Sequence, residues 1–359
     1  MKTFLSPINE IIKDLSVGKM VVIVDDEKRE NEGDLLFCAS SVSADKINFM
    51  AKYARGLICL ALDKKRFDKM KLKLMTDSNQ SRHRTAFTVS IEAKKGVTTG
   101  ISAKDRAQTI KVAVSKNSQP NDLVSPGHIF PLLASQGGVL VRAGHTEAAV
   151  DLAGMATLDK SPYGVICEIM NDDGTMARLG DLVKFCKKHK LKMSSIKDLI
   201  EYKVKKEKLV KCIRMETFKY GHLKDFKLFI YKNIIDGTEH IALLKGKVLS
   251  NQNILVRMHS LNIFSDVLDP DNKTLSKSFE VISKQQNGII VIIRNPRKEL
   301  NSKDKNYNSE KKNTLKEYGI GAQILTDLGA KKITILTTSS KKIIGVDGFG
   351  LEVNGTKKL

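Results

Sequence analysis

Met20–Ala39, MVVIVDDEKRENEGDLLFCA, decides the fold of the N-terminal half. Met20–Val24 and Leu35–Ala39 are apolar runs of strand length, and a strand buried on both faces needs no polar alternation. Between them Asp25–Asp34 carries six carboxylates in ten residues, so one strand ends in a strongly acidic loop and another leaves it. Upstream, Ile8, Ile11, Ile12 and Leu15 recur at helical spacing within Pro7–Val17, and Gly18 stops that helix. Downstream, Ser43 caps a helix over Ala44–Ala54, Gly56–Leu62 is a buried strand, and Ala86–Glu92 is another. Gly96–Gly100 turns into a helix that Ser102 and Asp105 begin as a capping box. Gly137–Val141 is predicted as a strand running into Arg142–Thr146, followed by a helix over Glu147–Ala156, a strand over Gly164–Met170 and a helix over Leu179–His189. This alternation, sustained to about residue 200, predicts an α/β (α+β) domain built on a mixed sheet.

At 359 residues the chain exceeds what one hydrophobic core usually organises, and two domains are expected, residues 1–202 and 210–359. The second restarts with strands near Phe226–Ile230, His240–Leu244 and Ile254–Met258. A helix end and a strand follow within Val281–Ile293, then a long polar loop over Lys298–Lys312, a helix over Leu315–Leu328, and short strands at Lys332–Leu336 and Gly350–Val353. It reads as a smaller α/β domain.

A net charge of +21 invites a nucleic-acid reading, but the excess is divided almost evenly between the two halves. The one dense basic run, Lys203 to Arg214, is interleaved with Glu207 and is expected to be a solvated linker at the domain junction. No nucleic-acid partner is expected. Five cysteines without CxxC spacing suit a reducing cytoplasm, and neither a signal-peptide core nor an apolar run long enough to span a bilayer is present.

Six carboxylates in one loop repel each other, and two readings stay open: a solvated turn, or a loop neutralised by a divalent cation such as magnesium. His145 lies in Arg142-Ala143-Gly144-His145-Thr146, where a rigid guanidinium, a glycine admitting close backbone approach and a hydroxyl suit a phosphate at a helix start. The imidazole is either structural or part of that anion site. Glu168 sits inside the apolar strand Val165–Met170, where a carboxylate must find a partner or raise its pKa, which makes it a candidate acid or base. Arg82-His83-Arg84 reads as a surface turn.

The acidic loop Asp25–Asp34, the stretch Arg142–Glu147 and the strand Gly164–Met170 resemble 3,4-dihydroxy-2-butanone 4-phosphate synthases, with Gly56-Leu57-Ile58-Cys59 and Pro126–Leu132 between them. The likeness covers residues 5–200. It implies a lyase that converts ribulose 5-phosphate into 3,4-dihydroxy-2-butanone 4-phosphate and formate with magnesium or manganese, two ions to a site, as a cytoplasmic homodimer with sites near the subunit interface. It further implies Glu30 and His145 as metal ligands. Arg29, Glu30, Asp34, Arg142, Ala143, Gly144, His145, Thr146 and Glu168 would bind substrate. Glu168 and His128 would be the acid and base groups, with Asp34 and Cys59 as helpers.

Residues 210–355 are similar to GTP cyclohydrolase II through Val256–Ser260, Tyr318–Leu325 and Gly348–Glu352. That family binds zinc through three cysteines after its His-Ser pair. Here Asn262, Lys273 and Leu275 stand about where they belong, and no cysteine follows Cys212. Thiolates are needed for such a site, so no zinc and no GTP hydrolysis are expected. Residual GTP cyclohydrolase activity, and a nucleic-acid-binding protein without enzymatic activity, are the rival readings.

Overall fold

In this computed structural model the described residues are 4–25, 30–81, 83–158, 161–218, 225–249, 252–294, 314–338 and 351–359. The chain divides into compact units at Met1–Tyr202 and Lys203–Leu359.

The first unit runs α1 (Ile8–Ser16), β1 (Val21–Val24), β2 (Gly33–Cys38), α2 (Ala44–Phe49), β3 (Cys59–Leu62), α3 (Lys64–Lys69), β4 (Ile91–Ala93), α4 (Ala103–Val114), β5 (Leu123–Leu133), α5 (His145–Ala156), β6 (Gly164–Glu168), α6 (Leu179–His189), β7 (Met193–Ser195) and α7 (Ile196–Lys206). Its sheet has the order β4-β5-β3-β6-β2-β1-β7. The pairs β3–β5 and β1–β7 are parallel; the remaining neighbours are antiparallel. The mixed α/β class expected from the sequence is therefore present.

Strand periodicity explains the layers. Val22, Val24, Leu35, Phe37, Leu60, Leu62, Val165 and Cys167 share one core with Ile47, Ile110 and Leu182 of α2, α4 and α6. The alternate residues Val21, Ile23, Leu36, Cys59 and Ile166 share another with Ile11, Leu152 and Leu199 of α1, α5 and α7. Successive side chains leave a strand on opposite faces, so both cores grow from one sheet. Each fully buried aliphatic side chain contributes roughly 1.5–3 kcal/mol.

Several expectations need correction. Gly137–Val141 is not a strand: Gly138–Leu140 forms a 3-10 turn. Gly137 and Gly138 both take positive φ (90° and 60°), which turns the chain, and Val139 N–H donates to Asp151 Oδ2 at 2.8 Å. The apolar character there reflects burial in a turn and not extension. Ala86–Glu92 supplies only isolated bridges at Phe87 and Thr88 before the short β4. Conversely, β5 is an 11-residue strand through Pro126 and Pro131, residues that argue against a central strand on sequence grounds.

The second unit adds β8 (Val210–Phe218), β9 (Phe226–Asn233), β10 (Glu239–Lys245), β11 (Asn253–Ser260), α8 (Thr274–Ser283), β12 (Gly288–Ile293), α9 (Thr314–Asp327), β13 (Lys332–Thr337) and β14 (Glu352–Lys358). Its sheet order is β14-β13-β11-β12-β10-β9-β8, parallel from β14 to β12 and antiparallel from there to β8. Ile320, Ile324 and Leu325 of α9 cover one face and Ile282 of α8 the other. Strand β8 is an addition to the sequence reading, and the helix end expected after Val281 belongs to α8, which begins at Thr274. The basic run lies at the boundary between the units with Lys205, Lys206, Lys208, Lys211 and Arg214 exposed as expected, but it is not a loop: Lys203–Lys206 completes α7, Lys203 is buried beside Glu207 at 3.5 Å, and Val210 begins β8. The polar loop expected at Lys298–Lys312 and the start of the last strand at Gly350 lie outside the described residues. Among the described residues, no helix is long and apolar enough to cross a membrane.

Gly56 joins fold to chemistry. It follows Arg55, which is left-handed (φ 70°), and a Cβ at Gly56 would sit 2.6 Å from Glu168 Oε2 and 2.8 Å from its backbone N. We expect Gly56→Ala to force β6 aside and lower the unfolding free energy by about 1–3 kcal/mol; an unchanged urea midpoint would refute this packing.

Candidate active site

Strand pairing brings the first two acids together. Asp34 near the start of β2 is directly opposite Glu168 at the end of β6. Glu168 Oε2 accepts the Leu57 N–H at 2.8 Å, which satisfies one oxygen at a strand end. Asp25, the residue after β1, shapes the acidic loop: Oδ2 accepts the Glu30 N–H at 3.0 Å and Oδ1 the Glu32 N–H at 2.9 Å. Asn31 turns the loop with φ 56°, and Arg178 Nη1 donates to the carbonyls of Glu30 and Asn31 at 2.7 and 2.6 Å. The Asp25 and Glu168 carboxylates are therefore held by backbone hydrogen bonds that they accept.

His145 opens α5 and enters this group from the other side of the sheet's end. Its Nδ1 is 3.5 Å from Glu30 Oε2 and its Nε2 is 3.9 Å from Asp34 Oδ1. Nε2 is buried without a hydrogen-bond partner. One ligand atom from each of Asp25, Glu30 and His145 lies within 4.8 Å of the other two. Two carboxylate oxygens and an imidazole nitrogen form a donor set that fits a hard dication.

The electrostatics have the same sense. Burial first, then Glu168, Glu30 and Glu32, raise the Asp34 carboxyl against the opposing His145, to about 7 in all. Burial pulls the His145 imidazole down, but Asp34, the Glu30 hydrogen bond and Asp25 outweigh it and hold it at about 9. Glu32 is raised by burial and then by Glu30. Without a cation the cluster retains protons, as expected where like charges share a low-dielectric site. Burial, then Glu168 and Asp34, push the Cys59 thiol well up, so at neutral pH it is a thiol and not a thiolate nucleophile.

The remaining predicted residues separate into groups. Arg142 is engaged within the chain: Nη1 donates to Glu147 Oε2 at 2.6 Å, and Nη2 donates to the His83 carbonyl at 3.0 Å and Thr85 Oγ1 at 3.2 Å. It ties the 83–85 turn to the start of α5. Ala143 leads into Gly144, the residue before α5, and Thr146 is buried in its first turn. The N–H groups of that turn lack intrahelical acceptors and can meet an anion. His128 stands apart: its described contact is Nδ1 to Glu92 Oε2 at 2.6 Å, at the β4–β5 edge, and no described contact links it to Glu30, Asp34, His145 or Glu168. Arg29 lies outside the described residues.

Four residues escaped the sequence reading. Asp25 was one acid among six with nothing to single it out. His83 does lie in a turn, as expected, yet its Nδ1 reaches Glu30 Oε1 at 3.7 Å, a contact between residues more than 50 positions apart. Arg178 and Glu92 act through similarly distant partners, and local spacing carries no trace of that.

Comparison with known proteins completes the picture. The profile of the family described as 3,4-dihydroxy-2-butanone 4-phosphate synthase matches residues 9–202, and that described as GTP cyclohydrolase II matches residues 210–358. A 3,4-dihydroxy-2-butanone 4-phosphate synthase from Neisseria meningitidis is 46% identical over 360 residues, covering 98% of this chain and 98% of that protein. The crystal structure of RibBX, a two-domain 3,4-dihydroxy-2-butanone 4-phosphate synthase from A. baumannii, superposes with a TM-score of 0.84 at 38% identity, covering 98% of this chain and 99% of that one. A synthase structure in complex with two magnesium ions is 38% identical with a TM-score of 0.53, covering 55% of this chain and 96% of that one. The chain belongs to the 3,4-dihydroxy-2-butanone 4-phosphate synthase family of riboflavin-biosynthesis enzymes.

Proposed function

We propose that the first domain converts ribulose 5-phosphate into 3,4-dihydroxy-2-butanone 4-phosphate and formate in a site centred on Glu30, His145, Asp34 and Glu168. The observation that carries this reading is the convergence of Asp25, Glu30 and His145 within 4.8 Å, beside the cross-strand pair Asp34 and Glu168. Glu30 and His145, supplemented by Asp25, would hold magnesium or manganese, and the neighbour bearing two magnesium ions favours two per site. A bound dication supplies Lewis acidity to the sugar's oxygens and neutralises charge that develops there. The chain's own groups do the rest. Asp34, near 7, gives up and regains a proton at neutral pH, as a general acid–base group requires. Glu168 has Oε2 fixed by the Leu57 amide, so Oε1 is the oxygen placed to exchange a proton with substrate. Residues Ala143–Thr146 would receive the phosphate at the start of α5, with Arg142 bracing the turn beside it and Arg29 contributing from the acidic loop. Cys59, a neutral thiol, serves as a small hydrogen-bonding wall, and His128 serves as a further acid–base group. The enzyme is read as a cytoplasmic homodimer acting on a small phosphosugar and not on nucleic acid.

The second domain is proposed to lack GTP cyclohydrolase activity. Where the family's thiolates are expected, Asn262 Oδ1 accepts the Ser265 N–H at 3.4 Å, Lys273 precedes α8 and Leu275 packs into the domain core. The buried Asp266 carboxylate instead organises this segment, accepting from His259 Nε2 and from the Asn262 N–H, each at 2.8 Å. The family match over residues 210–358 favours the rival, residual bifunctional reading.

Glu30→Ala, His145→Ala and Glu168→Gln should each lower formate release from ribulose 5-phosphate by at least about 100-fold; wild-type turnover in any of them removes that residue from the site. Incubation with GTP and zinc should release no formate, and steady release would restore the bifunctional reading. A third expectation concerns pH. In metal-stripped protein His145, held at about 9 against an ordinary 6.5, stabilises the fold fully below 6.5, and this is lost as pH rises through 9. Asp34, raised from 3.8 to about 7, is also favoured when protonated, so its contribution falls as pH climbs through that interval. The urea midpoint with EDTA should therefore drop from pH 6.5 to pH 9, and saturating magnesium should flatten the slope because metal replaces protons. A midpoint independent of both pH and magnesium would contradict the metal assignment.

A further inference from the structure

The register of the β4–β5 pair breaks between Ile91 and Glu92: Ile91 faces Ile129, but Glu92 faces Val124. Residues Ser125–His128 therefore have no partners on β4 and loop out at the step. Ser125 Oγ donates to the Ser90 carbonyl at 2.8 Å and the Gly127 N–H donates to Ser90 Oγ at 3.1 Å, which fixes the bulge. The bulge re-aims His128 so that its Nδ1 meets Glu92 Oε2 at 2.6 Å. The other Glu92 oxygen, Oε1, is 3.0 Å from Thr109 Oγ1, which also accepts the Ala93 N–H at 3.1 Å. Glu92 and Thr109 are buried, whereas the His128 side chain is 40% exposed.

These contacts leave one arrangement of protons. The Thr109 hydroxyl has a single hydrogen and already accepts from Ala93, so it donates to Glu92 Oε1. A carboxylate only accepts, so the hydrogen between Oε2 and the imidazole resides on Nδ1. In the neutral ring the lone pair is then on Nε2, the nitrogen for which no described residue is a partner. Gly100 closes over the pair: at φ 88° a Cβ there would come 2.6 Å from His128 Nδ1, so only glycine permits this approach.

We propose that Glu92, set by Thr109, is a positioning residue that fixes His128 as the Nε2-reactive tautomer for the synthase reaction. The inference rests on the reading of His128 as an acid–base group given above. A carboxylate orienting an imidazole in this way determines which nitrogen exchanges protons with substrate.

The test is Glu92→Gln in the full-length, magnesium-loaded enzyme. Thr109 still donates and claims the amide oxygen, so the amide NH2 faces Nδ1 and drives the ring hydrogen to Nε2. Long-range 15N–1H correlation on labelled histidine, with the His128 signals assigned by their loss in His128→Gln and recorded on the neutral ring, should show Nδ1–H in the wild type and Nε2–H in the variant. The value of kcat should fall by about 100-fold or more while KM changes by less than about 3-fold. Adding Thr109→Val frees the amide to rotate its oxygen towards Nδ1, and the double variant should regain Nδ1–H and at least about tenfold in kcat. A merely structural role would instead make the two losses accumulate. Retention of Nδ1–H in Glu92→Gln, or a double variant poorer than the single one, would overturn the proposal. Wild-type turnover in His128→Gln would instead remove the acid–base reading of His128, and the positioning role with it, whatever tautomer is observed.

Discussion

Four carboxylates and one imidazole meet at the end of the first sheet, and the architecture around them is shaped by the cost of that meeting. Asp34 and Glu168 are forced together by strand register, while Asp25 and Glu30 are folded in by a loop whose amides bond to the Asp25 carboxylate. Left as anions in a buried place they would repel one another by several kcal/mol, on the order expected for partly desolvated like charges. The protein answers with His145, with protons, and with a donor set that fits a dication. The raised Asp34 carboxyl and the unsatisfied His145 Nε2 are therefore two expressions of one constraint. A site strained in this way is poised for chemistry because binding a cation relieves it.

The scaffold's role is to make that crowding reproducible. Two cores on opposite faces of one sheet hold β2 and β6 in register, so the acids at their ends cannot drift apart. Gly56 lets the loop before β3 lie against Glu168, and Arg178 clasps the outside of the acidic loop.

The second unit is organised around a different polar group. It keeps a sheet of comparable size with helices on both faces, and beyond the end of β11 a separate group of polar side chains gathers. There the Asp266 carboxylate accepts from His259 Nε2 and from the Asn262 N–H, each at 2.8 Å. Ser260 Oγ, next to His259, and His240 Nε2 are buried without a hydrogen-bond partner in this unit, as His145 Nε2 is in the first.

The sequence by itself determined the alternation of strands and helices in the first half, the α/β class, the motifs of the site and the loss of thiolates, because periodicity and residue type are local properties. It misread Gly137–Val141, where apolar character came from burial in a turn, and it passed over β5, where two prolines masked a strand set by its neighbours. Tertiary structure alone decided which acid joins Glu30 and His145, that His83 reaches Glu30, that Arg142 spends its donors inside the chain, and that Glu92 holds His128. Each of these depends on at least one contact between residues far apart in the chain. Such contacts arise from strand register and helix packing, which depend on the whole core at once, and no local pattern of residues records them.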